Sequence, residues 1–180
     1  MSIQWQDGCL HLGCGEHPIP GWVNVDGRPG AGVDLILDIQ HDLDTLPSGV
    51  LRWAYTSHLV EHVCPDLLPG VLAHLYRALK PGGLLTVATI SLEGIFHNAY
   101  EKGYSTHDWN SYLYGNANSN DNPFMAHRQC FTAPSLTALL NAAGFTTVRP
   151  WSLESYPDLY ALNDCARSSY HVTLYLEGVK

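Results

Sequence analysis

The sequence predicts an α/β fold with a doubly wound, mostly parallel sheet and an antiparallel edge strand, and three observations predict it. Two short apolar runs end in residues suited to a sheet edge: Leu10-His11-Leu12 leads into Gly13-Cys14-Gly15, and Trp22-Val23-Asn24-Val25 leads into Asp26. Further strand-length and helix-length apolar segments follow, through Leu51–Ser57, Pro65–Leu79 and Leu84–Ile90. At 180 residues the chain is one domain by length, large enough for a continuous core over a single sheet.

Residues up to about Gly8 read as a loose lead-in, with Cys9–Leu12 as the first strand and Trp22–Asp26 as the second. A right-handed parallel crossover normally takes a dozen or so residues, and Pro18 and Pro20 forbid a long helix here, so a clipped turn is expected. Gly27–Gly32 is a loop by its Gly and Pro content, Val33–Leu37 the third strand, and His41–Gly49 an acidic, Pro-containing loop. Leu51–Ser57 is the fourth strand, central by its apolar content, and it delivers His58 to the edge where a ligand would lie. Pro65–Leu79 sets Leu68, Leu72, Leu75 and Leu79 on one stripe, which predicts an amphipathic helix. Lys80-Pro81-Gly82-Gly83 stops it before a fifth strand at Leu84–Ile90.

From Ser91 to Cys130 the composition shifts to Tyr, Asn, His, Ser and Gly, most densely in the tract 112–120, and no periodicity holds. A loop-rich insertion of this length is more often functional than decorative, and its place after the fifth strand sets it over the ligand edge as a lid. Ala133–Ala143 is a helix with Pro134 tolerated in its first turn and Gly144 as its C-cap. Phe145–Trp151 and Tyr170–Leu176 are the last strands, a hairpin-like pair at the sheet edge.

The first glycine of Gly13-Cys14-Gly15 allows a tight exit turn, and the second lets a ligand approach bare backbone. Asp26 is then placed to accept hydrogen bonds from the vicinal hydroxyls of a ribose. No third glycine stands at the dinucleotide spacing, and the prolines leave no helix N-terminus for a pyrophosphate, which argues against NAD and FAD. The nearest lysine is Lys80, so the lysine of a phosphate-binding loop is missing, which argues against ATP and GTP. An adenosine cofactor without phosphates is the better fit.

Composition narrows the partners. A formal net charge of -8 with 9 Lys plus Arg repels a phosphate backbone, so nucleic acid is not an expected substrate. No run approaches the roughly 20 apolar residues of a membrane helix. Met1-Ser2-Ile3-Gln4-Trp5 lacks the regions of a signal peptide, so a soluble cytoplasmic protein is expected. The 5 Cys are odd in number and scattered without Cys-x-x-Cys, and read as reduced, mostly buried thiols.

Leu-x-Leu-Gly-Cys-Gly followed by Pro-Gly-Trp-Val-Asn-Val-Asp resembles the opening of a class I S-adenosylmethionine-dependent methyltransferase. It is similar to one compact bacterial subgroup often linked to polysaccharide or natural-product modification. The likeness continues in Tyr55-Thr56-Ser57-His58-Leu59-Val60-Glu61-His62, Leu79-Lys80-Pro81-Gly82-Gly83, Ala143-Gly144-Phe145 and Asn163-Asp164-Cys165. The resemblance implies a Rossmann-like fold, S-adenosylmethionine as cofactor, and a cofactor site of His11, Gly13, Cys14, Gly15, Asp26, Asp38, Ile39, Ser57 and His58. In that family an Asp followed by an apolar residue after the third strand holds the adenine, and Asp38-Ile39 matches it. His127, in Ala126-His127-Arg128-Gln129, resembles a His-Arg pair after the family's lid and is the expected general base, with His62 the runner-up. One departure is that Arg52 or Trp53 stands where the family usually begins the fourth strand with an acid.

His58-Leu-Val-Glu61-His62 also fits the inverted zinc-protease pattern His-x-x-Glu-His. That site needs a helix through both histidines and a third ligand, whereas His58 falls at a strand end, so no metal is expected. No Gly-x-Ser-x-Gly occurs, so hydrolase readings lack a nucleophile. Two function classes remain: methyl transfer to a small-molecule or glycosidic acceptor, at oxygen or nitrogen, and a cofactor-binding or scaffold domain of the same fold without turnover.

Overall fold

The computed structural model describes residues 3, 5, 7–103, 105–115, 123–162, 164, 166 and 170–180, without the side chains of 106–109, 123 and 170. Seven strands, β1 (Gly8–Leu12), β2 (Val23–Asp26), β3 (Leu35–Ile36), β4 (Leu51–Ser57), β5 (Leu79–Ile90), β6 (Thr147–Pro150) and β7 (Thr173–Val179), form one sheet. Their order is β3-β2-β1-β4-β5-β7-β6. β1 to β5 pair in parallel, and β7 lies antiparallel between β5 and β6, one place in from the edge. The chain builds outward from β1 to β3 and then returns to lay β4 on the other side of β1, which opens a crevice at the carboxyl ends of β1 and β4.

The clipped crossover between β1 and β2 is stapled by Asn24. Its side chain accepts from the Ile19 N–H at 2.7 Å and donates to the carbonyls of Ile19 and Trp22, both at 3.1 Å. These bonds set the turn into β2 that a helix would otherwise set. The third strand is shorter than expected: Val33 N–H donates to the Gly30 carbonyl, and the Asp34 carboxylate is drawn to the Asn24 N–H at 2.8 Å. Leu35 and Ile36 are what is left as strand, flanked by main-chain bonds from the Asp34 N–H to the Asn24 carbonyl and from the Leu37 N–H to the Asp26 carbonyl.

Helix α1 (Leu68–Ala78) starts later than the apolar stripe suggests. Pro69 has no N–H to give the Pro65 carbonyl, so the turn at 64–67 does not merge into the helix. α1 then passes straight into β5 at Leu79. The expected stop at Lys80–Gly83 is a bulge inside the strand: Leu79 faces Leu51 and Leu84 faces Trp53, with Gly82 at φ 74°.

The tract Ser91–Cys130 corrects the expectation of an irregular loop. It carries α2 (Leu92–Lys102) and α3 (Thr106–Tyr114). Ser91 caps α2 by accepting from the Gly94 N–H, and Gly103 ends it in the left-handed region. The buried face of α2 is Ile95, Asn98 and Ala99, and Asn98 donates to the His171 carbonyl at 2.6 Å. A face so narrow and half polar shows no apolar stripe in the sequence. The Asn-rich tract 116–120, Asn163 and Cys165 lie outside the described residues.

α4 (Ala133–Ala143) begins on a Thr132–Ser135 capping box and ends at Gly144, φ 112°. Leu136 and Leu140 of α4 and Val71, Leu72 and Leu75 of α1 cover one sheet face over Leu10, Val25, Ala54, Leu85 and Val87. Tyr55, Ala88, Trp151 and Leu159, the last from α5 (Pro157–Leu162), form the core of the other face. Arg52 is exposed, while Trp53 donates to Thr86 Oγ1 at 3.0 Å and packs on Trp22 and Tyr156. The start of β4 is thus positioned by an indole where the resemblance implied an acid. No described helix is long and apolar enough to cross a membrane.

Candidate functional site

A cavity of about 990 Å³ opens outside the carboxyl ends of β1 to β4. His11, Gly13, Cys14 and Gly15 border it from β1 and its exit turn, Asp26 from β2, Asp38 and Ile39 from the turn after β3, and Ser57 and His58 from the end of β4. His127, Tyr112 and Tyr114 border it from the lid side. The structure therefore brings every residue expected at the site to one cavity.

Gly13 and Gly15 both have positive φ, 67° and 51°, and the N–H groups of Gly13 and Cys14 converge on the Val25 carbonyl. A Cβ on Gly13 would lie 2.9 Å from Leu59 Cδ1, whereas one on Gly15 would meet nothing within 4 Å. Gly15 therefore presents open backbone toward the cavity it borders. Asp26 is fixed by that same turn: Oδ2 accepts from the Gly15 N–H at 2.9 Å and Oδ1 from the Arg28 N–H at 3.0 Å. Each oxygen keeps a further lone pair for a ligand hydroxyl. Asp38 is held similarly, Oδ1 accepting from the Gln40 N–H and Oδ2 lying 2.9 Å from His41 Nδ1. Burial raises its carboxyl, but these partners outweigh burial and hold it below the ordinary carboxylate value.

Cys14 is a thiol and not a thiolate, because burial and the Asp26 charge push it up to about 11. His11 is 1% exposed and stacks on Tyr55 with centroids 5.1 Å apart. Burial brings its imidazole down to about 4, against the raising effect of the Asp164 charge, so the ring is neutral near pH 7. Among the described residues no hydrogen-bond partner reaches its Nδ1. The Tyr55 hydroxyl donates to Asp164 Oδ2 at 2.7 Å, and Asp164 also borders the cavity. The Ala166 N–H bridges Asp164 Oδ1 and Ser57 Oγ, at 3.0 and 3.2 Å, and so ties the segment between β6 and β7 to the end of β4.

His58 has φ 48°, a strained value for a residue with a Cβ. Its ring is held from both sides, Nδ1 lying 2.9 Å from Glu61 Oε1 and Nε2 2.9 Å from Thr173 Oγ1. Glu61 lies in the 3-10 turn Val60–His62, is fully buried, and its Oε2 accepts from Thr89 Oγ1 at 2.7 Å. Burial alone would raise this carboxyl, but the His58 bond and the His58 and His62 charges hold it below the ordinary carboxylate value.

His62 Nδ1 faces the Ala126 carbonyl at 3.0 Å, and His127 Nδ1 faces the Tyr112 carbonyl at 2.8 Å. A carbonyl can only accept, so each Nδ1 carries a proton. The two rings meet edge to face at 4.7 Å. Burial lowers the His127 imidazole, with the Glu61 charge opposing, so the ring is a base and not an acid at neutral pH. Single ligand atoms of Glu61, His62 and His127 lie within 4.8 Å of one another, a grouping that leaves His58 out.

The segment around His127 is strapped to this cluster. The Arg128 N–H donates to the Glu61 carbonyl, Gln129 Nε2 to the Val63 carbonyl, and the His127 N–H to the Tyr114 carbonyl. Gly115 faces Ala126 in an isolated antiparallel bridge, and a Cβ on it would lie 2.3 Å from the Met125 oxygen. Sequence reasoning gave Glu61 and Asp164 no role of their own. Glu61 stood only inside the His-x-x-Glu-His spacing, and Asp164 meets Tyr55 across a separation of 109 residues.

Residues 7–149 match the family described as "Methyltransferase domain". No curated protein matches the chain in sequence. In fold, the chain is similar to a SAM-dependent methyltransferase from Archaeoglobus fulgidus, at 15% identity and TM-score 0.59, over 97% of this chain and 86% of that one. It is likewise similar to an S-adenosylmethionine-dependent methyltransferase from Mesorhizobium loti, at 16% identity and TM-score 0.54, over 99% and 94% of the two chains. A third is the Burkholderia thailandensis 1,6-didemethyltoxoflavin-N1-methyltransferase with bound 1,6-didemethyltoxoflavin and S-adenosylhomocysteine, at 14% identity and TM-score 0.55, over 97% and 72%. At these identities the likeness is one of fold.

Proposed function

Because the chain belongs to the methyltransferase domain family, we propose that it transfers the methyl group of S-adenosylmethionine to oxygen or nitrogen of a small-molecule or glycosidic acceptor. The observation that carries this reading is the single cavity in which the Gly13–Gly15 backbone, Asp26 and Asp38 face His127. When bound, the cofactor supplies a methyl group already activated on a positively charged sulfur. The chain's own task is then to bind, align and exclude water.

Asp26 accepts the ribose hydroxyls with the lone pairs left free by Gly15 and Arg28. Asp38 meets the exocyclic amine of adenine, and Ile39, beside it at the cavity, covers the ring. His127 Nε2 takes the proton leaving the acceptor, while the nearby Glu61 carboxylate stabilises the imidazolium that results. Tyr112 and Tyr114 offer flat walls and hydroxyls to a polar, ring-like acceptor, in keeping with the polysaccharide or natural-product subgroup that the sequence resembles. With a net charge of -8, a nucleic-acid acceptor is disfavoured.

Methyl transfer from isotopically labelled S-adenosylmethionine to a panel of glycosides and small hydroxyl or amino compounds tests the reading. A labelled product is expected. Calorimetric binding of the cofactor without turnover on any acceptor would favour the scaffold reading instead, and Arg52, being exposed, gives that reading no support.

A further inference from the structure

We infer that Asp164 holds the amino-acid end of the cofactor by pairing with its ammonium group, an assignment that rests on the S-adenosylmethionine reading above. Three described carboxylates border the cavity: Asp26, Asp38 and Asp164. Asp26 and Asp38 lie at the ends of β2 and β3, on the side of the glycine turn assigned to adenosine. Asp164 lies on the other side, fixed to β4 by the Tyr55 hydroxyl and, through the Ala166 N–H, to Ser57. β4 pairs directly with β1, Leu12 facing Thr56, so Asp164 stands where a ligand lying across the Gly13–Gly15 turn leaves the ribose behind.

An ammonium partly withdrawn from water in the cavity is favoured by a carboxylate partner there. β1 does not provide one. His11, which borders this end of the cavity, is neutral near pH 7, is stacked on Tyr55 and has no partner for Nδ1 among the described residues. Asp164 is 5% exposed, and the Tyr55 hydroxyl and the Ala166 N–H each hold one of its two oxygens in place beside the cavity. The site would therefore select adenosyl sulfur compounds that carry an α-amino acid over those that end at a methylthio group.

The test is calorimetry with three probes: S-adenosylhomocysteine, its analogue lacking the amino group, and 5′-methylthioadenosine. On the unaltered protein the deaminated analogue should bind about tenfold or more weaker than S-adenosylhomocysteine, the loss expected for one charged hydrogen-bonded pair. In Asp164→Asn the two should become nearly equal, with 5′-methylthioadenosine binding as before. Equal affinity of the unaltered protein for both amino-acid probes overturns the assignment and needs no variant to fold. So does an Asp164→Asn protein that weakens all three probes alike, or one that still discriminates between the two. Should the unaltered protein bind none of the probes, the cofactor reading itself fails, an outcome distinct from the other three.

Discussion

The two walls of the cavity are held by different means. The floor is made of strand ends, and neighbours in the sheet position it: the Val25 carbonyl gathers the glycine turn, and the Gly15 N–H fixes Asp26 eleven residues on. The lid wall reaches its place through contacts between distant segments, His62 to Ala126 across 64 residues and Gln129 to Val63 across 66. A wall built from sheet geometry presents backbone and fixed carboxylates, whereas a wall built by contacts between distant segments presents side chains. On the function proposed above, the first would serve the cofactor and the second the acceptor.

If that division holds, single substitutions on the two walls should separate turnover from cofactor affinity. The largest effect is expected from the lid. His127→Ala should lower turnover by roughly 10²-fold or more while cofactor affinity measured by calorimetry stays near the unaltered value. Equal turnover would remove His127 from the chemistry, and a parallel loss of cofactor binding would make it a structural tie of the floor.

Next comes the floor's own response to acid. Between pH about 6.5 and about 4 the unfolded chain protonates His11 while the folded chain keeps it neutral. The unfolded state then binds more protons, so stability falls as pH falls through this window, by about 3 kcal/mol from this one group. Burial of His127 adds a loss of the same sign. Urea midpoints followed from pH 7 to pH 4 should drop steeply, and less so in His11→Gln. Parallel profiles would show that His11 does not set the slope.

Asp26→Ala should show the reverse of the His127 pattern. A hydrogen bond to a charged group contributes about 1.5 to 3 kcal/mol, so affinity for the cofactor should weaken by about tenfold or considerably more. Unchanged affinity would refute its place on the ribose. The smallest expected effect is none at all. Glu61 is engaged by Thr89 and His58, and His58 by Glu61 and Thr173, so a chelator should leave turnover as it was. Stoichiometric zinc in protein purified without added metal, lost in a His58→Ala, His62→Ala double variant, would break that expectation.

The same division decides what could be read beforehand. Gly13, Gly15, Asp26 and the full extent of β4 were legible because strand alternation and turn chemistry are local. The helical nature of α2 was not, since its inward face needs Asn98 paired with the His171 carbonyl, 73 residues away, before it has a face at all. Glu61 and Asp164 acquire meaning only when folding brings Thr89 and Tyr55 to them. The shortness of β3 likewise follows from Asp34 being claimed by Asn24, a pairing across the connection that no periodicity announces.

The Gly115–Ala126 bridge brings two parts of the chain together beside His127. His127 is secured by the Tyr112 and Tyr114 carbonyls, beside the point where Gly115 and Ala126 meet. Both ties reach main-chain oxygens, so the side chains at 112 and 114 can vary without removing either of them.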